Sequence, residues 1–187
     1  MFMRDMTFKE EGTMKKNNVN VQKLQETRQG LEKDLQKAKK VNVIEGNWNT
    51  QEGAQFEADI KFEGGKVALQ CEQPTFLGGS GAHPGPMLYC LYGFASCFTA
   101  TFAMVAAQEN VTLKSLRVKA ESHVDFSRAF GLTENPPVEK VSITLFVQSD
   151  ATQEKIQEIE KLAQKRCPAI YCITNPVPLS TQIVVNA

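Results

Sequence analysis

The sequence predicts an α+β domain in which antiparallel sheet packs on one long, buried, apolar helix. Three observations carry this reading. Residues Met87 to Ala107 hold no charged side chain, so as a helix the stretch is apolar on every side and suits the inside of a core. Segments before and after it alternate apolar and polar residues with the period of two that marks half-buried strands. The elements run strand, strand, helix, strand, strand, helix, strand, an order that suits sheet and helix in packed layers.

The chain has 187 residues, enough for one sizeable domain with an appendage. Charged residues make up 22% and hydrophobic residues 42%, the composition of a globular protein and not of a disordered one. Lys+Arg and Asp+Glu balance at 21 each, which gives no electrostatic basis for nucleic acid or an anionic membrane surface as the main partner. Met1 to Met14 alternates charged and apolar residues. It lacks the basic start, apolar core and small-residue cleavage site of a secretory signal. A cytoplasmic location is therefore expected, where the five cysteines stay reduced as core residues, metal ligands or catalytic thiols.

Taken in order, residues 1–18 read as a flexible leader, with Lys15-Lys16-Asn17-Asn18 polar and structureless. Residues 19–42 read as a helical extension. Val21, Leu24, Leu31, Leu35 and Ala38 form a narrow apolar stripe interrupted by Arg28, as on a helix lying on a surface. A hairpin follows. Phe56, Ala58, Ile60 and Phe62 alternate with polar residues, Gly64-Gly65 supplies the turn, and Val67, Leu69 and Cys71 alternate on the return strand. Cys71 then reads as a buried, inert thiol. Residues 74–86 are a Gly- and Pro-rich loop, and Pro86 suits the first turn of the apolar helix, which ends near Asn110.

That helix is long enough to cross a bilayer. Gly93, Ser96, Thr99, Thr101, two tyrosines, two cysteines and the absence of close Lys/Arg flanks favour the centre of a soluble core instead. Two strands come next, Lys114–Phe126 and Val138–Ser149. Val118, Ala120, Ser122 and Val124 share one face, and Val141, Ile143, Leu145 and Val147 another. A second helix spans about Thr152 to Arg166, capped by Asp150 or Thr152. Its apolar face is Ile156, Ile159, Leu162 and Ala163, and Cys167 continues it before Pro168 ends the helix. A last strand, Leu179 to Val185, closes the chain.

Among the cysteines no pair has CxxC spacing, and with two histidines a structural zinc site is not expected. Cys90 and Cys97 are two helical turns apart, roughly 10 Å along the axis, too far for a mutual disulfide. A reactive pair must come from tertiary contact. Cys167, next to proline and beside Lys165 and Arg166, is expected to be partly exposed and mobile, with its thiolate favoured. Cys97 sits mid-helix among the small and hydroxyl residues Ala95, Ser96, Thr99 and Ala100, which permit close approach by another element.

The run Leu77-Gly78-Gly79-Ser80-Gly81, then Pro84-Gly85-Pro86, then Gly93-Phe94-Ala95-Ser96-Cys97-Phe98 resembles the Gly-rich loop, proline-started helix and first catalytic cysteine of one known family. That family is the osmotically inducible protein C / organic hydroperoxide resistance (OsmC/Ohr) family. Cys167-Pro168 at the end of the second helix resembles its second cysteine. The resemblance covers roughly residues 43–187 and marks them as an OsmC-like domain. It implies an intertwined homodimer with active sites at the subunit interface. It implies a thiol peroxidase that needs no cofactor or metal, with Cys97 and Cys167 as the catalytic pair, a hydroperoxide as substrate and an external dithiol as reductant. Phe76, Met87 and Phe94 would suit an organic hydroperoxide. The sequence departs from the hydroperoxide-resistance branch at Met87, where a glutamate that pairs with a thiol-activating arginine is usual. Arg117 and Arg128 are candidates for that arginine by residue type alone, and Glu72 and His83 are candidate auxiliary groups on the loop side.

Overall fold

The computed structural model describes residues 14–185. The first strands are β1, Lys15–Lys16, and β2, Val19–Asn20, paired antiparallel. Residues 1–13 of the expected leader lie outside the described residues, but Lys15 to Asn18 is not structureless. Asn17 and Asn18 adopt φ of 53° and 61°, the left-handed pair that a two-residue hairpin turn requires and that asparagine tolerates.

Asn20 caps the helix that follows, α1, Val21–Lys33, by accepting a hydrogen bond from the Lys23 N–H at 2.9 Å. The expected stripe through Ala38 is not one helix. Asp34 leaves the helical conformation and its carboxylate accepts from the Gln36 N–H at 3.0 Å. That local bond competes with the helix ladder, and a short 3₁₀ turn, Leu35–Ala38, follows.

The next sheet is an antiparallel meander of β3, Glu45–Trp48, β4, Phe56–Phe62, and β5, Gly65–Cys71. Strand β3 lies in a segment that carried no sequence expectation of a strand. Phe56 pairs with Cys71, Ala58 with Leu69 and Ile60 with Val67, so the alternation puts its apolar residues on one face. Phe62 pairs with Gly65, so the turn is Glu63-Gly64, one residue before the expected position. Cys71 is buried as expected, whereas Val67, at the turn end of the same face, is 45% exposed.

Helix α2, Pro86–Gln108, starts on Pro86 as expected. Asn110, with φ of 58°, ends it: the Val111 N–H donates to the Ala106 carbonyl at 2.8 Å and the Asn110 N–H to the Ala107 carbonyl at 3.2 Å, the paired bonds of a left-handed helix stop. The N-terminal hairpin locks this corner. Asn17 donates to the Val111 carbonyl at 2.9 Å and accepts from the Leu113 N–H at 2.8 Å.

Strands β6, Leu113–Val124, and β7, Val138–Ser149, pair with Val118 opposite Leu145, Ala120 opposite Ile143 and Ser122 opposite Val141. Helix α3, Gln153–Arg166, is capped by Thr152, and α4, Pro168–Thr174, follows at once. The core joins Phe98, Phe102, Val105 and Ala106 of α2 to Ile159 and Ala163 of α3, with Leu116, Ile143, Leu145 and Val147 of the sheet packed against them.

The long apolar helix is present as expected, whereas the last strand is not. Helix α2 is long and apolar enough to cross a membrane by length and composition. It nevertheless buries only one stripe within the chain, Phe94, Phe98, Thr101, Phe102 and Val105, while Leu88 and Tyr92 are exposed. Leu179 to Val185 forms no strand. Leu179, Ile183, Val184 and Val185 are exposed, and the segment pairs with no strand of the described sheets.

Candidate active site: a thiol pair between two helices

The corner between α3 and α4 is built around Cys167. Proline forces the residue before it out of the helical region and fits the first position of a new helix. Cys167 accordingly adopts φ −82° and ψ 117°, ends α3 with its N–H donated to the Ala163 carbonyl, and starts α4 by accepting from the Tyr171 N–H. The chain turns there, and the Cys167 side chain points into the core beside Ala163. It is 1% exposed, so the expected partly exposed, mobile thiol is a buried one.

Cys97 reaches the same place from α2, on the edge of the stripe formed by Phe94 and Phe98. Its sulfur is 3.7 Å from that of Cys167, across 70 residues of sequence. That is van der Waals contact between two free thiols. A disulfide requires about 2.05 Å, so the sulfurs, 3.7 Å apart, must close by about 1.6 Å to bond.

Burial is the first cause that pushes the Cys97 thiol above the ordinary value. Cys167 and Cys172 push it further up, and the Ala169 backbone N–H, donating to the Cys97 sulfur, pulls it down. No cation contributes. Arg117 lies over the Phe146 ring, 3.7 Å from its centroid. Arg128 donates to the carbonyls of Glu134 and Asn135 and pairs with the Glu134 carboxylate. Arg166 donates to the Gln108 side chain at 3.1 Å. Local charge therefore leaves Cys97 a protonated thiol at neutral pH.

The Gly-rich loop before α2 is held by Glu72. This carboxylate is 3% exposed and accepts from the Ser80 and Ala82 N–H groups at 3.2 and 3.3 Å and from the Ser80 hydroxyl. The Ser80 hydroxyl is the first cause that holds Glu72 below the usual carboxylate range; His83 adds a smaller electrostatic pull. Gly79 has no freedom to change, since a Cβ there would meet the Gln73 carbonyl oxygen at 1.6 Å. Glu72 and His83 thus sit together in this loop, and the bonds of Glu72 go to the loop itself.

Met87 and Phe94 share a cleft of about 470 Å³ with Cys90, Leu91, Val141 and Ile173. Phe94 lies one turn before Cys97 on α2, but neither Cys97 nor Cys167 lines the cleft, whose wall also holds Ser122, Glu139 and Lys140. Phe76 is elsewhere, packed edge-on against Phe126 at 5.1 Å between centroids. Sequence reasoning missed the Ala169 N–H and Cys172. The spacing of Cys172 from Cys167 carried no signal until α4 was known to form. Among the described residues no cluster of His, Cys, Asp and Glu could hold a metal ion.

No curated protein matches this chain. Solved structures do match it in fold. An OsmC-like protein from Mycoplasma pneumoniae superimposes with TM-score 0.54 at 18% identity, over 72% of this chain and 88% of that one. An organic hydroperoxide resistance protein from Legionella pneumophila gives TM-score 0.51 at 19% identity, over 72% and 91%. One from Elizabethkingia anophelis gives 0.51 at 18%, over 72% and 89%. The OsmC-like protein profile matches residues 79–182, more than half of the chain and a span that holds both cysteines. With its antiparallel sheets and long apolar helix, the chain belongs to the OsmC-like protein family.

Proposed function

We propose that this protein is a cytoplasmic, cysteine-based thiol peroxidase that reduces organic hydroperoxides or hydrogen peroxide. The observation that carries the proposal is the 3.7 Å contact between the Cys97 and Cys167 sulfurs. The Cys97 thiolate attacks the O–O bond, releases an alcohol or water, and becomes a sulfenic acid. Cys167 then attacks that sulfur, water leaves, and a Cys97–Cys167 disulfide forms. An external dithiol returns both sulfurs to thiols by exchange. The cleft one turn along α2 from Cys97, with Met87, Leu91 and Phe94 in its wall, offers apolar contacts to an organic peroxide. The names of the Legionella and Elizabethkingia relatives agree with that substrate class.

The active unit in this proposal is a homodimer. Leu88 and Tyr92 on α2 and Leu179, Ile183 and Val184 in the C-terminal segment are exposed in one chain, and a second copy would bury such a surface. The test of the reaction is intact mass after one equivalent of cumene hydroperoxide. The expected product has lost two hydrogens, about 2 Da, mapped to a Cys97–Cys167 bond. Unreacted thiols under excess peroxide overturn the proposal.

A second reading is a non-catalytic OsmC-like protein that senses redox state or binds a small molecule. It is favoured by the raised Cys97 thiol, the lack of a cation beside it and Met87 at the start of α2. Peroxide turnover no faster than that of a Cys97→Ser variant, with dithiothreitol as reductant, selects this second reading.

A further inference from the structure

The Cys97 and Cys167 sulfurs are spaced for one bridging atom more nearly than for a bond to each other. An atom bonded to two sulfurs at about 2.3 Å, a metal–thiolate length, with about 100° between the bonds, holds them about 3.5 Å apart. The native separation is 3.7 Å. Such a bridge therefore asks for closure by about 0.2 Å, against about 1.6 Å for a disulfide. Both thiols are free. Cys167 is 1% exposed and Cys97 is half-buried, so one sulfur is open to a ligand from outside and the other waits behind it.

The donor set narrows the bridging atom. Zinc takes three or four protein ligands, and among the described residues no group of three His, Cys, Asp or Glu could hold a metal ion. Trivalent arsenic asks for less. It is a soft, thiol-seeking centre with three bonds, keeps one group of its own, and exchanges two hydroxyls for two thiols. Burial opposes an anionic sulfur at Cys97, and in this product neither sulfur is anionic. An uncharged adduct suits the apolar cluster that includes Cys167 and has Cys97, Ala169 and Ile170 packed against it.

We propose that Cys97 and Cys167 form a chelating site for trivalent arsenicals that carry two exchangeable hydroxyls and one further group, organic or, in arsenite, a third hydroxyl. The half-buried Cys97 thiol displaces the first hydroxyl. A sulfur–arsenic bond forms, an arsenic–oxygen bond breaks, and the thiol proton leaves with the hydroxide as water. The Cys167 thiol displaces the second hydroxyl in the same way. Two waters are released, arsenic stays trivalent, and nothing is oxidised or reduced. Binding needs the sulfur separation alone and no peroxide chemistry, and a bridged pair cannot form a disulfide.

The experiment treats the full, reduced chain with one equivalent of phenylarsine oxide or of sodium arsenite, followed by increasing glutathione as a competing monothiol. Intact mass and peptide mapping after N-ethylmaleimide read the product. With phenylarsine oxide the expected adduct is heavier by one phenylarsenic less two hydrogens. It shields Cys97 and Cys167 from N-ethylmaleimide and leaves Cys90 and Cys172 open to it. Dithiothreitol, with two thiols of its own, releases it. The glutathione concentration that strips half of the probe should fall about hundredfold in Cys97→Ser and in Cys167→Ala, since each keeps one of two linked contacts. It should stay at the wild-type value in Cys90→Ser and Cys172→Ser. The probe held against more glutathione identifies the third group as organic or hydroxyl. No adduct with either probe overturns the site. So does a bridge mapped in the wild type to any other cysteine pair, or an adduct stripped from the wild type as readily as from Cys97→Ser. A bridge in a chain whose thiols cumene hydroperoxide leaves untouched keeps the site and removes the peroxidase proposal. A peroxide-formed Cys97–Cys167 disulfide without any arsenical bridge does the reverse.

Discussion

The thiol at Cys97 offers the sharpest quantitative test, with pH as the perturbation. Its ordinary value is 9.0, at which about 1% is thiolate at pH 7, since each unit is a factor of ten. Burial, the leading cause, raises the value further, so the native fraction is smaller still. Only the thiolate is alkylated. The rate of iodoacetamide modification at Cys97 should therefore climb about tenfold per pH unit from 7 to 9, with no plateau. The assay is timed alkylation with peptide mass readout, run on the native chain and again in guanidinium. The unfolded chain should level off near the ordinary value; the native chain should not.

Because burial comes ahead of the Cys167 contact among the causes, the native midpoint should stay at a higher pH than the unfolded one in Cys167→Ala as well. The sign for stability follows. A thiol raised in the folded state binds its proton more tightly there, so its contribution is fully present below the unfolded value. It is lost as pH rises through the folded value. A native plateau below pH 9 refutes the reasoning and means that a cation reaches the thiolate in solution, the arrangement a fast peroxidase needs.

Three further outcomes follow from the packing. Phe102→Ala should destabilise the fold by about 3–5 kcal/mol in urea unfolding, because Phe102 is 1% exposed at the centre of the core; a loss under about 1 kcal/mol would show that α2 is not held there. Asn17→Ala should cost about 2 kcal/mol by the same measurement, since it removes both bonds to the α2–β6 corner and places alanine at a left-handed φ. On acidification, the Glu109–Lys155 link between α2 and α3 should fail. Its Lys155 hydrogen bond is the first cause that lowers the Glu109 value from 4.5, so its stabilisation is present above that value and lost as pH falls through the lower folded one. Glu109→Gln should flatten the thermal-stability profile in that acid range, and an unchanged profile would remove the pair from the account.

The location of the Cys97–Cys167 thiol pair changes what the charges near it mean. Lys165 and Arg166 are adjacent to Cys167 in sequence, yet the buried thiol faces away from solvent at the helix corner and Arg166 bonds Gln108. The loop carboxylate of Glu72 likewise serves the Gly-rich turn that launches α2. No cation within the described chain activates Cys97, so fast turnover would need a charge supplied from outside it. The alkylation profile reads that directly.

The sequence by itself determined the periodic and locally punctuated parts. The period-two alternation in β4 to β7, the proline start of α2 and the threonine cap of α3 need no information from elsewhere in the chain. The spacing of Ile156, Ile159 and Ala163 likewise sets which side of α3 is buried. The two cysteine contexts were legible as a family pattern for the same reason, as short runs with fixed neighbours.

Tertiary structure decided everything that depends on partners distant in sequence. It brought Cys97 and Cys167 into contact across 70 residues and buried Cys167 where local chemistry suggested exposure. The kink at Pro168 turns that side chain inward, and burial is a property of what packs around a residue. It packed α4 against α2, because α4 forms only once Pro168 has reset the chain. The C-terminal apolar run shows the same limit from the other side. Alternating residues make a strand only when they pair along an edge, and Leu179 to Val185 pairs with none of the described strands.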